Sequence, residues 1–569
     1  MKAHHLATLA LLLTTTIGLT ACGGGGSSEP DSVTPPTEPP TAPPTTPEPP
    51  TTPAPTEDHS GLTPLSAETP IKDEYLAGGD TTLFVTNEDA FSTRPEAIAD
   101  DFRLDGFFTS GDHLFRTPHE DIGPILNTSN CQGCHLNDGR GVVPASATAP
   151  MLSMLVKVGR SDGSADPIYG DQIQPFAEQS FTTSDFDSGL PVHNGSVNGT
   201  ELYGEAFPFI EYEMVDGSYP DGTSYQLRKP ILKIRDLSFG AFSDDIRFSP
   251  RVAPQAFGVG LLAEIPADNI LKLADPNDAD NDGISGRASM VTNAISGETE
   301  LGRFAYKAQN PTVLQQVAGA YNGDIGITTT IFTNEPCTDA QLACQQVAAQ
   351  ESKVGDDVDF SNRELALVEF YNRVLGVPAR RGFDRDSETW GDEVTQGRKH
   401  FFDSGCTSCH TPRHITQEAP GSVLGQLTLT SLEPNPAPIE ILSNQVIFPY
   451  TDLLLHDMGG SCQVTRELID GQSCNSNAQE CLYVQRCEGL ADGLIQGDAS
   501  GSEWKTPALW GLGLVQTVNA DSTFLHDGRA RTIEEAILWH GGEAETAKNN
   551  FMQLSQAERA QLLSFLESL

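Results

Sequence analysis

Cys131-Gln132-Gly133-Cys134-His135 and Cys406-Thr407-Ser408-Cys409-His410 are the two stretches on which the reading of this chain turns. In each, two thiols three positions apart are followed directly by an imidazole. This is the attachment spacing of c-type haem. The thiols reach both vinyl groups of one porphyrin, and the next residue brings a nitrogen to the iron. A zinc site would want a different His spacing, and a thioredoxin-like redox pair would want a βαβ setting. Two covalent haems are therefore expected. One is on Cys131 and Cys134 with His135 as proximal ligand; the other is on Cys406 and Cys409 with His410.

Covalent haem attachment takes place outside the bacterial cytoplasm, and the N-terminus agrees with export. Lys2 precedes an apolar run from Leu6 to Leu19, which is too short to span a bilayer and has the form of a secretory signal. The run ends in Leu19-Thr20-Ala21-Cys22, which resembles a lipoprotein box with Cys22 as the lipidated residue. Residues 1–21 then form the signal peptide. Residues 22–60 form a lipidated Gly/Pro/Thr-rich tether, with 12 prolines between Pro30 and Pro55. Such a tract stays extended and builds no core. The expected location is an outer-membrane anchor facing the periplasm or the cell surface. Of the 11 cysteines, six remain after Cys22 and the four haem thiols, and in an oxidising compartment they can pair. Cys337 and Cys344 are close enough for a small loop. Cys462, Cys474, Cys481 and Cys487 allow three pairings that spacing leaves open.

The chain has 569 residues with 34 Lys+Arg against 78 Asp+Glu, a net charge of −44. The length implies more than one domain. The charge excludes a general nucleic-acid binder and speaks against electrostatic docking on anionic lipid, so the lipid is the only membrane contact expected. It suits a basic partner or a small neutral one. From Gly61 onward the sequence is globular but rich in Gly, Pro and Asp, with much of it lacking clean periodicity. The expected fold class is mainly α with long irregular loops. Ser361 with Glu364 opens a helix to about Leu375, Thr532 with Glu535 opens a short one, and Ser555 with Glu558 opens the terminal one. Residues 376–392 read as a hinge. This gives an N-terminal haem domain over 61–380, with insertions, and a C-terminal one over 381–569. Asp278, Asp280 and Asp282, followed by Gly283, match the first half of an EF-hand loop and form a candidate calcium site. Ser289, however, stands where the bidentate Glu would be.

Seven stretches together resemble the bacterial di-haem oxidoreductase family, described as peroxidases and often labelled thiol oxidoreductases. They are Cys131 to Gly141 (CQGCHLNDGRG), Phe257 to Pro266 (FGVGLLAEIP), Asp280 to Arg287 (DNDGISGR), Leu301 to Asn310 (LGRFAYKAQN), Pro449 to Gly459 (PYTDLLLHDMG), Glu503 to Gly513 (EWKTPALWGLG) and Phe524 to Glu543 (FLHDGRARTIEEAILWHGGE). More distantly the chain is similar to di-haem cytochrome c peroxidases. That resemblance implies two cytochrome-c-like haem domains with calcium between them. It also implies electrons entering at the C-terminal haem, from a basic donor such as a small cytochrome. They would be used at the N-terminal haem to reduce hydrogen peroxide or oxidise a substrate.

The resemblance also points to ligands. The sixth ligand of the C-terminal haem falls at His540, with Met458, His456 and His526 as rivals. His526 and Arg529 are also candidate propionate contacts. For the N-terminal haem no His follows His135 until His193; Met151 and Met154 lie in the interval, and core packing is expected of both. An open iron favours chemistry over electron transfer alone. Peroxide cleavage needs a proton carrier, and Glu264, in the apolar run Leu261 to Ile265, is the candidate catalytic residue, with Gln174 and Tyr169 behind it. Two other functions stand beside the peroxidase reading: a non-catalytic electron carrier with two six-coordinate haems, and an oxidase of thiols or organic substrates.

Overall fold

The computed structural model describes residues 65–120, 122–178, 194–197, 199–350, 358–421, 438–474 and 481–569. The signal peptide, the lipidation residue Cys22 and the tether lie outside the described residues. Among those described, no helix is long and apolar enough to cross a membrane.

The fold is mixed, with 29% of residues helical and 22% in strands, which corrects the expectation of a mainly α chain. The strands that position the site are β1 (Met154–Arg160), β2 (Gln172–Ile173), β3 (Phe207–Ser218), β4 (Ser224–Arg235), β5 (Ile246–Val252), β6 (Leu455–Asp457), β7 (Gly460–Glu467), β8 (Leu482–Gly489) and β9 (Glu503–Lys505). In β4 the inward residues Pro230, Leu232 and Ile234 alternate with half-buried Ile231, Lys233 and Arg235, the period-two signature of a strand with one buried face. A tight turn joins β3 to β4. Pro220 and Asp221 occupy its centre, Gly222 takes φ +88° and donates to the Tyr219 carbonyl, and the Asp221 carboxylate accepts from Thr223 N–H. A left-handed residue here would strain any side chain with a Cβ.

The four-stranded sheet runs β7-β8-β4-β3, all antiparallel. Its two hairpins come from opposite halves of the sequence. The expected pair of self-contained cytochrome-c-like domains is therefore not what the structure shows. The β3–β4 turn also reaches the C-terminal helices. Tyr219 donates to Glu534, and Arg559 pairs with Asp221 at 2.7 Å while lying over the Tyr219 ring. A second sheet orders β5-β1-β2, and β6 pairs with β9.

Each motif is preceded by a helix that packs closely on a later one. The helices are α1 (Phe102–Arg116), α2 (Asn362–Val374), α3 (Asp392–Asp403), α4 (Ile533–Leu538) and α5 (Gln556–Ser568). α1, ahead of the first motif, meets α2 at Gly111, where a Cβ would stand 2.3 Å from the Leu367 carbonyl oxygen. α3, ahead of the second motif, meets α5 at Gly397, where a Cβ would stand 1.9 Å from the Gln561 carbonyl oxygen. Reciprocal capping boxes at Ser361/Glu364 and Ser555/Glu558 start α2 and α5 as expected. Thr532 caps α4, but the Glu535 carboxylate turns to Arg531 instead of closing the box. The largest core cluster joins Phe107, Phe108 and Phe115 of α1 to Phe370 and Tyr371 of α2.

Residues 376–392 are well tied. Val377–Pro378 pairs in parallel with Thr82–Leu83, and Arg380 meets the fully buried Glu74 at 2.6 Å, where Arg398 also binds at 2.9 Å. The six remaining cysteines form three disulfides, Cys337–Cys344, Cys462–Cys487 and Cys474–Cys481. Cys462 and Cys487 face each other directly across β7 and β8.

Candidate functional site

The four motif cysteines are the free ones among the described residues. Each CxxC begins as one turn of 3-10 helix, Cys131–Gly133 and Cys406–Ser408. The Asn130 side chain caps the first by accepting from Gly133 N–H at 2.9 Å. Burial pushes the Cys131 and Cys406 thiols up to about 12 and raises those of Cys134 and Cys409 as well. Thiols held protonated are poor zinc ligands and poor redox nucleophiles.

The two motif histidines are oriented alike. His135 donates from Nδ1 to the Pro254 carbonyl at 2.7 Å, and His410 from Nδ1 to the Tyr450 carbonyl at 3.0 Å. A carbonyl only accepts, so Nδ1 carries the proton and Nε2 keeps its lone pair for a metal. Burial lowers the pKa of His135, and burial, abetted by the nearby His540 imidazole, holds His410 down to about 4. His540, which follows α4, donates from Nδ1 to the Ala536 carbonyl at 2.8 Å, so its Nε2 is also free. Desolvation is the leading influence on all of these cysteines and histidines, yet each is only half-buried. Each therefore keeps accessible surface beside a well-packed backbone. Two free thiols and one lone-pair nitrogen at each motif fit a covalently held haem.

His456 is differently engaged. Its Nδ1 faces Glu543 at 2.7 Å and its Nε2 faces Asp452 at 2.8 Å, so both nitrogens are taken. The Cys409 sulfur lies 3.7 Å from Nδ1. Sequence reading missed this cluster, because Asp452 and Glu543 are far apart in the chain. Met458 is half-buried just beyond β6, and its backbone N–H donates to the Ser502 carbonyl.

His526 is buried and stacks on Trp504 with ring centroids 3.8 Å apart. Arg529 is also buried; it binds Asp527 at 2.7 Å and lies over Trp539, so its charge is already matched within the protein. Burial depresses the His526 pKa to about 4. In the unfolded chain the imidazole titrates near 6.5. Its contribution to stability is therefore complete above pH 6.5 and is lost as pH falls towards 4, amounting to ~3 kcal/mol over that span. Urea unfolding between pH 7 and 4.5 should show this loss, and His526→Gln should flatten it. An unchanged slope in His526→Gln would contradict the assignment.

Glu264 is buried just after a short helix, and Arg373 of α2 binds its Oε1 at 3.0 Å. Burial raises its pKa against the lowering effect of Arg373 and Arg303. Gln174 and Tyr169 are both buried, and Tyr169 is spent on the Gly240 carbonyl. Met151 and Met154 pack in the core beneath the β1 sheet, as expected. His414 is buried, with Nε2 on the Thr451 carbonyl at 2.7 Å. Asp278, Asp280 and Asp282 bring one carboxylate oxygen each within 4.8 Å of one another. Ser289, at the twelfth position, is buried and donates to the Ala308 carbonyl.

Two thiol-flanked histidine centres on a mixed α/β chain define a two-centre redox protein. The chain belongs to the family described as di-haem oxidoreductase, putative peroxidase, matched over residues 75–478 and 468–569. No match was found among curated proteins, and none among solved structures.

Proposed function

We propose that this protein is a c-type di-haem peroxidase. The observation that carries the reading is the repeated geometry of free thiol pair, Nδ1-tethered histidine and open Nε2 at both motifs. Cys131, Cys134 and His135 would hold one haem, and Cys406, Cys409 and His410 the other. Haem supplies the one-electron chemistry and the iron at which peroxide is reduced. His540 would supply a second nitrogen to the C-terminal haem, because its Nε2 is free and it lies close enough to bear on the His410 pKa. A centre closed by two histidines suits electron entry. No histidine follows His135 in the sequence until His193, and an N-terminal centre left open would suit the chemical step. Glu264 is the proposed proton carrier.

The net charge of −44 suits a basic donor such as a small cytochrome. The signal and Cys22 suit export and lipid anchoring at the outer membrane. Low-temperature EPR and optical spectra of the purified protein, oxidised and half-reduced, test the reading before and after stoichiometric peroxide. One high-spin, peroxide-responsive haem beside one low-spin haem is expected. Two low-spin haems inert to peroxide would overturn it and leave an electron carrier.

A further inference from the structure

Lys505 ends β9 opposite Leu455 of β6. Lys505 is half-buried, and desolvation lowers its pKa to about 8. Its ammonium has one weak partner, the Thr506 carbonyl at 3.4 Å. Lys307, Arg373, Arg380, Arg398 and Arg529 each have a carboxylate at 2.6 to 3.0 Å, whereas buried Arg303 has the Leu262 carbonyl. Asp452 is near enough to act on Lys505 at a distance but is bound to His456. A partly desolvated cation that no carboxylate neutralises can take an anion brought in beside it.

The position of Lys505 says which anion. The Thr451 hydroxyl donates to the Thr506 carbonyl at 2.7 Å, and Thr451 follows Tyr450, whose carbonyl orients His410. On the other side, Lys505 N–H donates to the Tyr306 carbonyl at 2.9 Å, and the Tyr306 hydroxyl donates to the Val252 carbonyl at 2.9 Å. Two residues on, the Pro254 carbonyl orients His135. Lys505 thus stands midway on a continuous path between the carbonyls that set the two motif histidines. Each haem carries two propionate carboxylates, the only anionic groups the proposed cofactors bring inside.

We infer that Lys505 is the counter-ion for haem propionate between the two centres. Sequence reading assigned this task to Arg529 and His526; Arg529 is already neutralised by Asp527. The inference rests on haem being held at both motifs. A cation beside a haem edge stabilises the reduced, more negative state, so losing it lowers the potential.

The test compares wild type, Lys505→Met and Lys505→Arg, each with haem counted by intact mass and both midpoints read by optical potentiometry. Lys505→Met should lower one midpoint so that the reduced-to-oxidised ratio at fixed potential falls about tenfold, the equivalent of ~59 mV for one electron. Lys505→Arg should restore most of it. Two covalent haems with unchanged midpoints in Lys505→Met would overturn this inference alone; a wild type lacking covalent haem would overturn the functional reading with it. Should Lys505→Met not load haem, amine acylation of the haem-loaded wild type decides. Lys505 should react at least tenfold more slowly than exposed Lys272, and equal rates would overturn the inference.

Discussion

Replacing Cys131 and Cys134 together by serine is expected to halve the covalent haem of the purified protein and to abolish peroxide turnover. Serine cannot add to a vinyl group, whereas His135 could still bind iron reversibly. Acid–acetone extraction should then remove any haem left at the first motif and leave the second, on Cys406 and Cys409, in place. The reciprocal pair, Cys406→Ser with Cys409→Ser, should also keep one covalent haem but lose reduction by an external donor while leaving the N-terminal site intact. Intact mass reads the first result and stopped-flow donor oxidation the second. The test discriminates sharply because these thiols are protonated and unpaired, while the other described cysteines are in disulfides. A zinc or redox-thiol site would respond with loss of metal or of thiol exchange and no change in haem. Two haems surviving in the Cys131/Cys134 double variant would remove the basis of the functional reading.

The parts of this molecule that sequence made legible are those fixed by local chemistry. The CxxCH spacing is closed within five residues. The capping boxes at Ser361/Glu364 and Ser555/Glu558 are closed within four, and both start helices in the structure. His540 emerged from resemblance, and its tethered Nδ1 is local too, four residues from Ala536. The strands were missed although one signal was present. Pro220-Asp221-Gly222 between Phe207–Ser218 and Ser224–Arg235 is a hairpin signature. The charged residues on the half-buried face of β4 broke up its apolar run and hid the alternation. What could not be read at all is non-local. β4 pairs with β8 some 250 residues later in the chain. The reach of Glu543 to His456 depends on which carboxylate the fold brings to which imidazole, and composition holds no record of that.

The shared sheet has a consequence for the proposed electron flow. With hairpins from both halves hydrogen-bonded in one sheet, and the path from Tyr450 through Thr506 and Tyr306 to Pro254 already formed, the two motifs are linked by chain and by hydrogen bonds, two of them from side-chain hydroxyls. A rigid spacing favours transfer between fixed partners over transfer gated by hinge motion. It also means that residues near residues 376–392 should be read as structural ties, since Arg380 there is locked to Glu74.

Glu264→Gln is expected to lower kcat/KM for peroxide by about 10²–10⁴-fold, the range typical of losing a positioned proton carrier. The substitution isolates that role. Glutamine keeps an oxygen for the Arg373 guanidinium, which sits 3.0 Å from Glu264 Oε1, so the buried arginine retains a partner. Glu264→Ala removes it and leaves Arg373 with Glu369 at 3.5 Å and the Pro420 carbonyl at 2.8 Å, a loss of ~1–3 kcal/mol in stability. The two variants therefore separate chemistry from architecture. Glu264→Gln should unfold close to wild type in urea while turning over poorly; Glu264→Ala should fail in both. Because burial raises the Glu264 pKa, the carboxyl stays protonated to a higher pH than a free glutamate, and the proton it delivers is available nearer neutrality. The alkaline limb of the kcat/KM profile should therefore vanish in Glu264→Gln if this carboxyl sets it. Full turnover in Glu264→Gln with an unchanged pH profile would reduce Glu264 to the structural partner of Arg373 and move the search for the proton carrier to Gln174 and its neighbours.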